Sequence, residues 1–242
     1  RELPRQHPRS AHDVGVSAPP TPAADAERHH PRPRAVLVGP MASGKSSVGR
    51  SLAARWGVEL RDSDALIVER LGCSISDYFA THGEAAFREV ERDVITEQLG
   101  TFDGVLALGG GAVLDDSTRA ALREHTVVYL TVDERNAGYR IRGDVTRPIL
   151  ANGGIDTWRR IFAERRRLYE EVATVTVDPS RGTTGASATR IIEALVAAEH
   201  ETPVSTGGKR PLPSSVAATI ARRRILGATR GGRTRRDEGE TP

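Results

Sequence analysis

Ala35-Val36-Leu37-Val38-Gly39-Pro40-Met41-Ala42-Ser43-Gly44-Lys45-Ser46 is the stretch on which the fold turns. Four apolar residues running into a glycine read as a buried strand, and Ser46 to Trp56 continues with helical spacing. Between them, Gly39 to Ser46 satisfies G-x-x-x-x-G-K-[ST] in the strand–loop–helix setting that the pattern requires. Backbone N–H groups of such a loop wrap phosphate oxygens, and the helix N-terminus adds partial positive charge. Lys45 can reach terminal phosphates and the Ser46 hydroxyl can bind Mg²⁺. Gly39, Ala42, Ser43, Gly44, Lys45, Ser46 and Ser47 are therefore candidate nucleotide-binding residues. The alternative is a glycine-rich turn that binds nothing. Against it, Lys45 is the only lysine between residues 35 and 200.

Outward from this loop the pattern repeats. Val58–Arg61, Val105–Leu108, Val127–Val132 and Thr174–Val177 read as further strands. Asp64–Leu71, Ser76–Leu99, Ser117–Glu124, Thr157–Val172 and Ala186–Glu199 read as helices between and after them. Alternating strands and helices predict an α/β fold with a parallel sheet of about five strands, covered by helices on both faces.

The ends of the chain differ from its body. Residues 1–33 are rich in proline, with no periodicity and no apolar face, and read as a disordered tail. His29 and His30 lie in that tail without ligand partners at metal-binding spacing and read as solvated. Residues 201–242 form a second, basic tail with the same disordered reading, in which 214–226 could form one short helix. The predicted domain is 34–200. The net charge of +3 divides into +2 for residues 1–34, −4 for 35–200 and +5 for 201–242. The basic tail lacks aromatic residues, so weak nonspecific contact with nucleic acid is the most it offers. One cysteine, Cys73, rules out an intramolecular disulfide and suits a reducing compartment. No stretch reaches the 18 or more apolar residues that a membrane span needs. The first 30 residues have no continuous apolar core, so no secretory signal is expected. A cytoplasmic monomer without membrane partners is the expectation.

A phosphate-binding loop names the nucleotide but not the acceptor, and ligands of parallel sheets gather at the strands' carboxyl ends. Asp62-Ser63-Asp64 stands at the end of the second strand. In an extended segment residues i and i+2 share a side, so both carboxylates could face one cleft. One could support a metal and the other hold or deprotonate a hydroxyl; alternatively, Asp64 caps the next helix. Gly109-Gly110-Gly111 follows the third strand, where missing side chains let the backbone approach a ligand, or simply form a loop. Arg88, Arg147 and Arg165 recur at motif-like positions, although a single arginine is more often a solvated surface residue.

Taken together and in order, these motifs resemble shikimate kinases. The likeness covers residues 35 to about 199: Gly39-Pro40-Met41-x-x-Gly44-Lys45-Ser46, Asp62-x-Asp64, Gly72-x-Ser74-Ile75, Gly83-Glu84-x-x-Phe87-Arg88-x-x-Glu91, Leu108-Gly109-Gly110-Gly111-Ala112-Val113, Arg147-Pro148-x-Leu150 and Arg165-x-x-Leu168-Tyr169. The acceptor-site signatures of the related gluconate and nucleoside monophosphate kinases differ. The resemblance implies ATP-dependent, Mg²⁺-assisted phosphorylation of the 3-hydroxyl of shikimate, a step of aromatic amino-acid biosynthesis. It implies Lys45 on the terminal phosphates, Ser46 and Asp62 on the Mg²⁺ side, and Asp64 on the shikimate hydroxyls as proton acceptor. It further implies Arg88 and Arg165 on the shikimate carboxylate, Gly109, Gly110 and Gly111 against the ring, Arg140 near the adenine, and Arg147 on a mobile lid over the phosphates. Departures are Ala42, where the family usually has glycine, an unfamiliar lead-in to Arg147, and Thr183-Thr184, where a proline is common.

Two other readings remain at this stage. Paired arginines suit any carboxylate, so a kinase for another small hydroxy acid would use the same residues. A phosphate-loop module without turnover would need neither acceptor-side acids nor a lid arginine.

Overall fold

The computed structural model describes residues 32–142, 154–180 and 182–201. Apart from residues 32, 33 and 201, both terminal tails lie outside the described residues, as do Arg147 and most of the segment around it. Five strands, β1 (Ala35–Val38), β2 (Glu59–Asp62), β3 (Gly104–Ala107), β4 (Val127–Leu130) and β5 (Val175–Val177), form one sheet in the order β2-β3-β1-β4-β5. Every pairing is parallel, as predicted. The helices are α1 (Lys45–Trp56), α2 (Ser63–Leu71), α3 (Ile75–Thr101), α4 (Asp116–Leu122), α5 (Glu134–Arg142), α6 (Gly154–Val172) and α7 (Thr184–Glu201).

Strand periodicity splits the core in two. Ala35 and Leu37 point to one face, where they meet Leu52 and Trp56 of α1 and Ile191 and Leu195 of α7. Val36 and Val38 point to the other, packing with Ile95 and Leu99 of α3 and Tyr169 of α6. All four β1 residues are buried, and each large side chain buried in this way contributes about 1.5–3 kcal/mol.

Register then builds the site. Leu37 pairs with Ala107, and Ala107 also pairs with Asp62, so the carboxyl ends of β1, β3 and β2 finish side by side. The Leu108 N–H extends the β3–β1 ladder to the Leu37 carbonyl at 3.0 Å. The loops beginning at Gly39 and Gly109 are thereby adjacent.

Three readings of local structure are corrected. Helix α2 begins at Ser63, so Asp62 and Asp64 do not share an extended segment. Asp62 is the N-cap, its carboxylate accepting from the Asp64 N–H at 3.1 Å, and Asp64 lies in the first turn. The long helix expected at Ser76–Leu99 is interrupted at Gly83, whose φ of 79° and ψ of 175° belong to glycine alone. Helix α5 was absent from the sequence reading. It is short, and Ala137 is its one fully buried apolar residue, too little to give a periodic signal.

Candidate active site

The nucleotide side of the site is a backbone nest closed by α1. Gly44, at φ 89°, leads into the first turn of α1. Lys45 opens that helix, and its ammonium donates to the carbonyls of Gly39 (2.8 Å) and Pro40 (3.0 Å), bridging the mouth of the loop. The Ser46 hydroxyl donates to Asp62 Oδ2 at 2.7 Å, bringing two hard oxygen donors together beside Lys45. Ser43 is fully buried and its hydroxyl has no hydrogen-bond partner, so this residue can serve a nucleotide only through its backbone. Ser47 is exposed on the first turn of α1 and joins none of these contacts. Ala42 adopts the left-handed conformation, φ 65°, that a glycine would adopt freely. The alanine therefore occupies a backbone position that suits glycine. Arg140 of α5 reaches across and donates to the Ala42 carbonyl at 2.7 Å.

The acceptor side is built around the Gly109–Gly111 loop. The Gly109 N–H donates to the buried Ser63 hydroxyl at 2.8 Å, tying the loop to the start of α2. A side chain at Gly109 would strike the Asp64 carboxylate, and one at Gly111 would strike the Arg88 guanidinium. These glycines are what let Asp64 and Arg88 lie against the loop. Gly110 faces the phosphate loop, since a Cβ there would stand 3.5 Å from the Met41 nitrogen. Its carbonyl accepts twice from α6, from Arg165 at 3.1 Å and from the Tyr169 hydroxyl at 2.6 Å. Burial pushes the Tyr169 phenol well above its ordinary range, so it stays protonated as a donor.

Arg88 sits between two carboxylates one turn away on either side, Glu91 at 2.5 Å and Glu84 at 3.0 Å. Burial is the largest single effect and opposes its charge, but the charges and hydrogen bonds of Glu91 and Glu84 together outweigh it and raise its pKa. Glu91 is almost wholly buried, and that burial lifts its carboxyl above the usual value in spite of Arg88. Asp64 and Arg165 also lie within its electrostatic reach. Glu84, Glu91 and Tyr169 stood inside the quoted motifs without being given roles. The spacing of Glu84 and Glu91, four before and three after Arg88, is helix ion-pair spacing and could have revealed both. Trp158, which donates to the Met41 carbonyl, carried no such signal.

A family model described as shikimate kinase matches residues 41–196. The chain belongs to the shikimate kinase family. A shikimate kinase of Mycobacterium tuberculosis is 47% identical over 164 residues, which are 67% of this chain and 93% of that protein. One from Thermobifida fusca is 45% identical over 69% of this chain and 97% of its own length. Among solved structures, a shikimate kinase from Acinetobacter baumannii in complex with shikimate superposes with a TM-score of 0.64 at 33% identity, covering 71% of this chain and 96% of that one. Shikimate kinase membership accounts for the five-stranded parallel sheet and for the pairing of a phosphate loop with a triple-glycine loop. Among the described residues no helix is long and apolar enough to cross a membrane.

Proposed function

We propose that this protein transfers the terminal phosphoryl group of ATP to the 3-hydroxyl of shikimate, giving shikimate 3-phosphate and ADP in aromatic amino-acid biosynthesis. The observation that carries this reading is the convergence of Arg88 and Arg165, from two different helices, on a glycine loop that touches the phosphate loop. Guanidinium forks match a carboxylate in both geometry and charge. An anionic acceptor held there would lie beside the nucleotide nest, since a Cβ at Gly110 would stand 3.5 Å from the Met41 nitrogen.

Phosphoryl transfer asks the protein mainly for positioning and charge neutralisation. Lys45 supplies charge at the terminal phosphates, and the backbone of Gly39 to Ser46 cradles them. Ser46 and Asp62 together offer the hard oxygen donors that Mg²⁺ prefers, so the residues present fit that ion. When bound, it would neutralise phosphate charge. Asp64 orients the acceptor hydroxyls and takes the proton from the attacking one. Arg88 and Arg165 hold the carboxylate, with Gly109, Gly110 and Gly111 lining the ring. Arg140 flanks the nucleotide, and Arg147, outside the described residues, is assigned the charge that builds during transfer. The working unit is residues 34–200, acting as a cytoplasmic monomer; light scattering that gives more than one chain per particle would overturn the last point.

The test is an ADP-release assay on the purified chain with shikimate, gluconate and nucleoside monophosphates in parallel. Release with shikimate alone is expected. Release with gluconate or a nucleoside monophosphate, and none with shikimate, would sink the assignment.

A further inference from the structure

Two side chains from outside the phosphate loop take hold of consecutive peptide planes within it. The Trp158 indole N–H, at the start of α6, donates to the Met41 carbonyl at 3.1 Å. Arg140, on α5, donates to the next carbonyl, that of Ala42. Between these two grips stands Ala42, the one non-glycine residue with positive φ among the described residues.

An L-residue in the left-handed region is disfavoured, and rotation of the flanking peptide planes is the direct way for it to escape. In a trans planar peptide the carbonyl and the following N–H point in opposite directions. Holding the Met41 oxygen from α6 therefore fixes the Ala42 N–H on the side away from that helix. The indole is well placed to hold it. Trp158 is buried, stacks on Phe162 with ring centres 5.0 Å apart, and packs with Val132 and Ala137 in an apolar cluster that Met41 and Ala42 also join. An indole N–H enclosed in this way is costly to leave unbonded, so the grip persists.

We infer that Trp158 is a positioning residue for the phosphate loop, its indole N–H keeping the Met41–Ala42 peptide in the orientation that the strained Ala42 would otherwise abandon. The inference deepens the proposed function and rests on the reading of this loop as the nucleotide nest. It also explains how the chain tolerates alanine at this turn.

The experiment is a double-variant cycle. Trp158→Phe keeps a ring in the cluster and removes the donor. The dissociation constant for ADP in the presence of Mg²⁺ is measured by calorimetry in the Ala42 background and in the Ala42→Gly background, with the KM for shikimate as a second readout. With alanine at 42, Trp158→Phe should weaken ADP about two- to ten-fold, the worth of one neutral hydrogen bond. With glycine at 42 the loss should fall below about twofold, because glycine needs no restraint at that φ. The KM for shikimate should stay within about twofold of the parent's, since a single lost loop contact is all that changes.

Equal weakening in both backgrounds would show that the indole acts by packing alone and would overturn the inference, as would no weakening at all or a matched rise in the shikimate KM. A parent chain that binds ADP but does not phosphorylate shikimate removes the proposed function and leaves this test standing. A parent that does not bind ADP removes both. Should Trp158→Phe fail to fold, both tryptophans can be replaced by benzothienylalanine, which has the indole's shape without its N–H. The Trp56 N–H has no hydrogen-bond partner, so the effect would report on position 158.

Discussion

The two halves of the site are held in different ways. The nucleotide half is made from main chain: carbonyls of Gly39, Pro40, Met41 and Ala42 receive Lys45, Trp158 and Arg140, and the loop springs directly from the fully buried β1. The acceptor half is made from side chains that neutralise one another, with Arg88 paired to Glu84 and Glu91, and Arg165 leaning on a glycine carbonyl. A main-chain nest survives many substitutions but depends on each peptide's orientation. A charge network survives backbone adjustment but depends on every member's charge.

Four substitutions break or sharpen this contrast, and the first carries the largest effect. Lys45→Ala should lower turnover by at least about a hundredfold, the cost of losing one preorganised donor to developing charge, while circular dichroism stays native. Activity within tenfold of the parent would remove Lys45 from the nucleotide half.

Arg88→Lys probes the acceptor half alone. An ammonium cannot reproduce the planar fork, so the KM for shikimate should rise by the equivalent of about 1–3 kcal/mol with the KM for ATP unchanged. A rise in the ATP KM instead would mean that the halves are not separable in this way.

Glu91→Gln tests the charge network through pH. The Glu91 carboxyl titrates above its ordinary value of 4.5 in the folded protein, chiefly because it is buried. The folded state therefore holds that proton more tightly than the unfolded chain does. The resulting stability is fully present below the ordinary value and is lost as pH rises through the raised one. Lowering the pH across that window should raise the Tm of the parent relative to Glu91→Gln. A difference in Tm that does not change with pH would show that the carboxylate is not carrying the cost of burial.

Ala42→Gly should have the smallest effect, and it is one of stability. Relief of about 1–2 kcal/mol of left-handed strain is set against about 0.4–1 kcal/mol of added freedom in the unfolded chain. The net gain of about 0.5–1 kcal/mol would raise the Tm by about 1–4 °C, readable by calorimetry. A fall in Tm would show that the alanine is not strained.

The same division governs what could be read from sequence. The nucleotide half is contiguous from Ala35 to Ser46, so a local pattern carries its geometry. Strands β1, β3 and β4 were legible for the same reason, because each is buried along all four residues. The acceptor half depends on contacts between residues far apart in the chain, such as Ser63 with Gly109 and Tyr169 with Gly110, and no spacing rule reaches across such distances. Asp62 and Asp64 were legible as a pair, but their relative orientation depended on where α2 begins, and one residue decided it. Helix α5 was hidden by its own polarity, since a nine-residue helix with four charged side chains leaves almost no apolar stripe.

Arg88 is already saturated with partners before any acceptor arrives. Glu91 is shut away from solvent while Glu84 is largely open to it, with side-chain exposures of 4% and 64%. A carboxylate entering the site therefore trades places with Glu84 rather than filling an unmet need. At Arg88 the free energy of docking becomes the difference between two similar ion pairs. Added salt weakens both sides of that exchange, so the ionic-strength dependence of acceptor affinity should come from Arg165, which gives up only a neutral carbonyl. Small inorganic anions gain little there, because they must evict a tethered carboxylate whose effective concentration is set by the helix itself.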